Sequence, residues 1–429
     1  MTLGRNGRDV RAVGAQPGGA YKWELLILLC LAFFFHQGDR AIYGVVISQI
    51  GSDLGLTSPQ LGMVGSVLFF TMALVMPFAG IVGDTCKKNR IITICLIFWS
   101  GATLFTGCVQ GIIGLILLRS VATAGGEAFY SPAAYPLIAK FHRRTRALAL
   151  SLHQAALYIG VMTSGFLGGW IAQRWGWRSA FYVFGGSGIL LGIVFIFRLK
   201  DSPDADLPED GRPGARGLFE ALGVVFRTPT ALMLTVGLTA IVFVNNAFIV
   251  WAPEFLREKQ GDLSLALAGG LSMFWHHLPA LIGITIGGPL SDWLVTRRPT
   301  MRLELQAVAM ALGVPSIILM GLAPNLTLAC VGLALFGWFR GLYESNTHAA
   351  LFDVVGHRHR ASAVAIMVMI AFLFGSTSPW LLGECREWFG GRAGLSLGFA
   401  GLSSAYLIGA VAVTAARLVF FKRDRLTET

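Results

Sequence analysis

Asp39 and Arg40 stand side by side inside WELLILLCLAFFFHQGDRAIYGVVISQI, a run from Trp23 to Ile50 that is otherwise almost wholly apolar. A charge deep in a bilayer costs roughly 2.5–3.5 kcal/mol on insertion scales. Such charges persist where they pair, meet water, or do work. Two later apolar runs repeat the pattern, one with Arg119 and Glu127, the other with Arg340 and Glu344. Burial raises a carboxyl pKa and a neighbouring cation lowers it. Asp39 and Glu127 have both influences at hand, so they are the candidate proton sites. The bland alternative is a permanent ion pair that ties helices together, which contributes little net stability. A guanidinium grips a carboxylate through a planar fork. Arg119 is therefore the candidate for an anionic solute, and Arg40 the candidate partner of an acid.

The second half of the chain holds a less charged set. Arg340 and Glu344 are four residues apart and share one helix face. They read either as an intrahelical pair or as the completion of the site. Asn245, Asn246 and Asn346 could hydrogen-bond a hydroxylated or carboxylated solute, or simply a neighbouring helix. Tyr43, with Tyr130, Tyr158, Phe248, Trp251 and Tyr343, could line a cavity or pack. Among the histidines of the apolar runs (36, 153, 276, 277 and 348), none has partners at metal-ligand spacing, and His36 lies one turn before Asp39. No metal and no bound cofactor is expected; a proton gradient would supply the energy.

Composition sets the class. The chain has 429 residues, 55% hydrophobic and 13% charged, against about 25% charged in soluble domains. A polytopic membrane protein follows, with a small-molecule solute and membrane lipid as partners. The net charge of +11 does not point to nucleic acid, since the basic residues cluster in short loops between apolar runs. The six cysteines are scattered and form no CxxC. No HExxH or Walker motif is present, which disfavours a zinc hydrolase or an ATP-driven pump. A channel or a transporter-derived sensor stays open as an alternative.

Twelve runs are long enough to cross about 30 Å of hydrocarbon. They are 23–49, 60–83, 91–110, 112–139, 147–172 and 178–198, then 231–256, 264–290, 303–322, 326–350, 361–383 and 394–421. The expected fold is an all-α polytopic membrane protein with twelve transmembrane helices in two pseudo-symmetric six-helix bundles. The parts are a tail (1–22), an N-terminal bundle (23–198), a linker rich in Pro, Gly and Asp (199–230), a C-terminal bundle (231–421) and a second tail (422–429). Basic loops fall on one side: Arg5, Arg8 and Arg11, then Lys87 to Arg90, Arg143 to Arg146, Arg297, Arg298 and Arg358 to Arg360. Both termini and the linker are expected in the cytoplasm. The inner membrane of a bacterium and a functional monomer complete the expectation.

The halves echo each other. GIVGDTCKKNR (80–90) and GPLSDWLVTRR (288–298) both read Gly-x-x-x-Asp before a basic cluster. RRTRALAL (143–150) and RHRASAVA (358–365) match in the same way. Gly80 with Asp84, and Gly288 with Asp292, are candidate cytoplasmic gate loops. Repeats of this kind permit rocking about a central site.

These features resemble the major facilitator superfamily over the whole chain. Thr85 and Lys87 depart from the family's usual gate loop, where Arg and Gly are common. A narrower resemblance is to the anion:cation symporters of sugar acids and to the spinster-like branch. Asp39-Arg40, Arg119 with Gly126-Glu127, AFYSPAAYPLIAKF and RGLYESNTHAALFDVVGHRHRASAVA carry it. The first branch implies proton-coupled symport of a small organic anion by alternating access. The second implies movement of lysolipid-like or amphipathic molecules, in either direction. One spacing is unexpected. Arg119 and Glu127 are eight residues apart rather than seven, which turns them about 80° apart on an ideal helix. They meet only if the helix is distorted, and Gly125-Gly126 are the candidates.

Overall fold

The computed structural model describes residues 20–201 and 215–426, without the side chains of residues 84–85 and 215–219. Arg5, Arg8 and Arg11, most of the N-terminal tail, the linker's central stretch and the Asp84 carboxylate lie outside the described residues. Among the described residues, twelve helices are long and apolar enough to cross a membrane. Spans 1 to 6 are Tyr21–Leu54, Ser58–Gly83, Lys88–Thr106, Ile112–Phe141, Arg146–Trp175 and Trp177–Arg198. Spans 7 to 12 are Pro229–Lys259, Leu265–Val295, Met301–Leu322, Leu326–Phe352, His357–Trp388 and Gly391–Asp424.

Several helices run a little past the apolar limits, and polar side chains close a few of their ends. Thr57 and Gln60 form a capping box at the start of span 2. Asn325 caps span 10 through the Leu328 N–H. Span 12 continues to Asp424, where the carboxylate accepts from the Thr230 N–H and hydroxyl, both at 2.9 Å. That contact also explains why span 7 begins at Pro229 rather than at 231. The linker is not all coil: Ala215–Arg227 is helical. Ala221 and Val225 are buried there while Phe226 is exposed, so this short helix lies with one apolar face against the bundle.

The halves touch mainly at the end opposite the chain termini. A Cβ added to Gly165 of span 5 would sit 2.5 Å from the Gly269 carbonyl of span 8. One on Gly383 of span 11 would sit 2.5 Å from the Ser58 carbonyl of span 2. Only glycine allows backbones this close. A polar latch closes the same end. Arg257 Nη1 donates to Ser48 Oγ at 2.6 Å, and Arg386 Nη1 to Ser58 Oγ at 2.9 Å. The Ser58 N–H donates to Glu387 at 3.1 Å, and Glu258 holds Arg386 at 2.6 Å. Toward the termini, the described ring contacts between halves are the wider ones of mid-bundle, Tyr158–His277 at 6.2 Å and Phe69–Phe372 at 6.1 Å. Among the described residues, the close contacts between halves therefore gather at the far end and thin out toward the side of the termini.

Candidate functional site

Span 4 is the element that builds the N-terminal centre, and it is not a regular helix. Ile116–Ala122 forms a π-helical turn, and the Thr123 N–H reaches back to the Leu118 carbonyl. The Thr123 hydroxyl bonds the same carbonyl at 2.9 Å. A π-turn absorbs one extra residue. The eight-residue spacing of Arg119 and Glu127 then acts as seven, about 20° from two full turns. The distortion lies before Thr123, not at Gly125-Gly126 where the sequence suggested it. Both side chains consequently reach span 1.

Glu127 Oε2 accepts from Arg40 Nε at 2.8 Å. Arg40 is thus paired with an acid, as its position suggested, but the acid is Glu127 on span 4 and not its neighbour Asp39. Asp39 Oδ2 accepts from the Thr103 hydroxyl of span 3 at 3.1 Å. Arg119 Nη2 donates to the backbone carbonyl of Asp39 at 2.7 Å. Arg119 forms no described ion pair with Glu127. Four polar atoms of the cluster have no protein partner: Asp39 Oδ1, Glu127 Oε1, and Arg119 Nε and Nη1. Asp39, Arg119 and Glu127 are each at most 2% exposed. Unpaired buried groups of this kind are costly and mark places where function outweighs packing.

Arg119 lies under Tyr43, 5.8 Å from the ring centroid, and the Tyr43 hydroxyl donates to the Leu61 carbonyl at 2.8 Å. Both border a cavity of about 10 Å³ between spans 1, 2, 4 and 7. That is room for one water at most. Arg40 lines it too, and reaches the Met72 sulfur at 2.9 Å.

His36 sits directly behind the pair. Its Nε2 meets the Glu127 carbonyl at 3.2 Å, and its Nδ1 accepts from Gln37 at 2.9 Å. The rings of Phe33, Trp99 and Tyr130 pack against it, and His153 stacks in turn on Phe33. Tyr130 spends its hydroxyl on the Leu29 carbonyl at 2.6 Å and touches His153 at 2.9 Å. Tyr130 therefore packs within the N-terminal half and does not line a cavity.

The C-terminal centre is built from spans 7, 8 and 10. Arg340 Nε donates to Glu344 at 2.8 Å, the intrahelical pair expected. Its Nη1 donates to Asn245 Oδ1 and meets His276 Nε2 at 2.9 Å. Arg340 and Glu344 remain partly exposed, with side chains at 13% and 23%. Asn246 is turned away and buried, its Nδ2 unpartnered. Asn346 is fully buried at the break in span 10 and donates to Ser345 Oγ at 2.9 Å. Only Asn245 of the three amides meets Arg340. Tyr158 approaches His277 across the halves, Phe248 packs on His276, and Trp251 donates to the Pro379 carbonyl at 2.8 Å. The Tyr343 hydroxyl is buried without a partner. His348 is exposed.

At the termini end, Asp292 pairs with Arg302 at 3.1 Å, and Arg302 bridges on to Asp353 at 3.0 Å. That is a bond within the C-terminal half, from span 8 to span 9, not across the bundle. Gly80 and Gly288 both have open space where a Cβ would stand. The parted halves leave these loops uncrowded.

Sequence reasoning did not find Thr103 or the far-end latch, and it named His276 without assigning it a partner. Thr103 is a single hydroxyl in an apolar run. Glu254, Arg257 and Glu258 stand at spacings of three and four at the end of span 7, and that spacing was the available signal. Among the described residues no group of three or more His, Cys, Asp or Glu could hold a metal ion.

The bundle is long enough to span a bilayer and carries a charged centre in each half, buried in the first and partly exposed in the second. The sequence profile of the Major Facilitator Superfamily matches residues 29–317, and the chain belongs to that family. It is a multi-pass membrane transport protein and not an enzyme. A probable sulfoacetate transporter, SauU, of Cupriavidus necator is 26% identical, over 89% of this chain and 93% of its own. An MFS-type efflux pump of Mycolicibacterium smegmatis is 27% identical, over 87% and 86%. Protein spinster homolog 1 of Xenopus tropicalis is 25% identical, over 86% and 74%. A bacterial homolog of the human lysosomal transporter Spinster, crystallised inward-facing and unoccupied, superposes with a TM-score of 0.84 at 22% identity. That match covers 96% of this chain and all of the other. The fold is thus that of the superfamily, with both anticipated branches among its relatives.

Proposed function

We propose that the chain is a proton-coupled symporter of a small organic anion, working by alternating access. The observation that supports this most is the N-terminal centre, where Asp39, Glu127 and Arg119 are buried beside the partly buried Arg40, with unpartnered atoms on both carboxylates and on Arg119. With both acids ionised the four charges sum to zero. One proton taken up at Asp39 Oδ1 or Glu127 Oε1 leaves a single positive charge, and an anion then binds by Coulomb attraction. Release of the proton on the other side would expel the anion. Arg119 would contact it through Nε and Nη1 once the 10 Å³ cavity widens, and Arg340 would meet it from the C-terminal half. Relatives described as a probable sulfoacetate transporter and a probable galactarate/D-glucarate transporter favour the anionic class. By the loop charges, both termini face the cytoplasm of a bacterial cell, the parted end is inward-open, and the carrier works as a monomer.

The test is uptake of D-glucarate and of sulfoacetate into proteoliposomes under an imposed pH gradient, with counterflow at zero gradient. Accumulation driven by an inward proton gradient is expected. Counterflow without any gradient-driven accumulation would remove proton coupling, and absence of both would remove the anion reading. An impermeant thiol reagent that modifies a residue-5 cysteine only from outside would overturn the orientation.

One observation favours the second reading, transport of an amphipathic molecule. Spans 7, 11 and 12 enclose a groove of about 780 Å³ lined by Phe243, Phe374, Leu382, Leu397 and Ile408. It is long and apolar enough for an acyl chain. Lysolipid competing with the anion for uptake would bring that reading forward.

A further inference from the structure

His276 belongs to span 8 and has no part in the charge balance just described. It is fully buried, with its ring 4.3 Å from Phe248 and 4.6 Å from Phe336, measured between centroids. Its Nε2 stands 2.9 Å from Arg340 Nη1. A guanidinium has five N–H donors and no acceptor. Nε2 must therefore accept, which requires a lone pair there and puts the ring's one proton on Nδ1. Asn245 Oδ1 accepts from the same Nη1, and Glu344 accepts from Nε. Three acceptors from three elements thus aim one guanidinium.

We propose that His276 is a positioning residue for Arg340, a neutral imidazole protonated on Nδ1 that fixes the guanidinium for the anion. The inference rests on the anion reading above. A proton on Nε2 would set N–H against N–H, and a doubly protonated ring would add cation against cation, so the contact holds only for the neutral ring protonated on Nδ1. The titratable groups facing His276 are Arg340 of span 10 and its own neighbour His277, and those facing Arg340 are Glu344 of span 10, Tyr158 of span 5 and Tyr406 of span 12. His277 is already committed, its Nδ1 donating to the Met273 carbonyl at 2.9 Å. Restraint of this kind contributes to affinity by removing the entropy cost of ordering Arg340 on binding.

Two variants separate position from packing. His276→Phe keeps an aromatic ring between Phe248 and Phe336 but offers no acceptor. His276→Gln restores a neutral acceptor. With D-glucarate and sulfoacetate as probes, His276→Phe is expected to weaken binding about tenfold and His276→Gln about threefold or less. In an Arg340→Gln background the two should not differ. A substrate-free measurement runs beside this. Nitrogen-15 spectra of histidine-labelled protein, assigned by the signal lost in His276→Gln, should show an Nδ1-protonated ring whose Nε2 signal moves in Arg340→Gln. An Nε2-protonated ring, or His276→Phe with unchanged affinity, would overturn the proposal. If the wild-type chain binds neither probe, the anion reading fails, and the nitrogen spectra alone decide whether His276 orders Arg340.

Discussion

The two centres use the same residue types in opposite ways. In the N-terminal half, two guanidinium and two carboxylate groups share a buried pocket, yet Arg119 Nε and Nη1, Asp39 Oδ1 and Glu127 Oε1 have no protein partner. In the C-terminal half, one guanidinium is engaged by Glu344, Asn245 and His276 at once. The first centre leaves charged atoms without partners, whereas in the second the guanidinium is engaged and the unpartnered buried atoms, His276 Nδ1 among them, belong to neutral groups. A group left unsatisfied in low dielectric responds strongly to a proton or an ion, whereas a satisfied one mainly holds shape. On the function proposed above, the two halves would divide the work between titration and orientation.

Removal of the central cations should show the difference most strongly. Arg40→Ala leaves Glu127 buried and unpaired, and is expected to cost about 3–5 kcal/mol in thermal unfolding. Adding Glu127→Gln should recover most of that loss. Arg340→Ala, at a partly exposed pair, should cost about 1 kcal/mol. Equal losses at the two arginines would erase the contrast.

Next come the carboxylates. Asp39→Asn and Glu127→Gln should each abolish pH-driven accumulation while leaving counterflow measurable. Glu344→Gln should leave accumulation intact and alter only the half-saturating solute concentration. Undiminished uphill uptake in both N-terminal variants would show their carboxylates to be structural.

Arg119 sharpens the comparison further. Arg119→Lys keeps the charge and loses the fork, so anion affinity should fall by about tenfold in equilibrium binding, with folding retained. Arg119→Ala should abolish anion binding altogether. Unchanged affinity in the alanine variant would leave Arg119 a brace on the Asp39 carbonyl and favour the amphipathic substrate. The smallest effect belongs to Thr103. Thr103→Val and Asp39→Asn should be coupled by about 1 kcal/mol in a double-mutant cycle of unfolding. Strict additivity would mean that the Thr103 bond does nothing for Asp39.

Much of this was legible without coordinates. Hydropathy alone gives twelve spans, because a segment that must satisfy its own backbone in lipid has to be a long apolar helix. Charges inside such segments stand out for the same reason, so Asp39, Arg40, Arg119, Glu127, Arg340 and Glu344 could be named at once. The doubling of Gly-x-x-x-Asp and of the basic loops revealed the two halves. What the sequence could not decide was who meets whom. Asp39 and Arg40 are chain neighbours, yet helix geometry turns them apart and the ion pair forms with Glu127 on span 4. The eight-residue spacing looked like a misfit until a π-turn at Ile116–Ala122 took up the extra residue. Asn245 and Asn246 are chemically alike, but one reaches Arg340 and the other is buried away from it. Periodicity reports which face of a helix is polar. It does not report the helix's irregularities or its rotation against neighbours, because those are set by side chains far away in the chain. Tertiary packing therefore decided the pairing, the orphaned atoms and the closed end, while composition and pattern had already determined that this chain crosses a membrane twelve times around a charged centre.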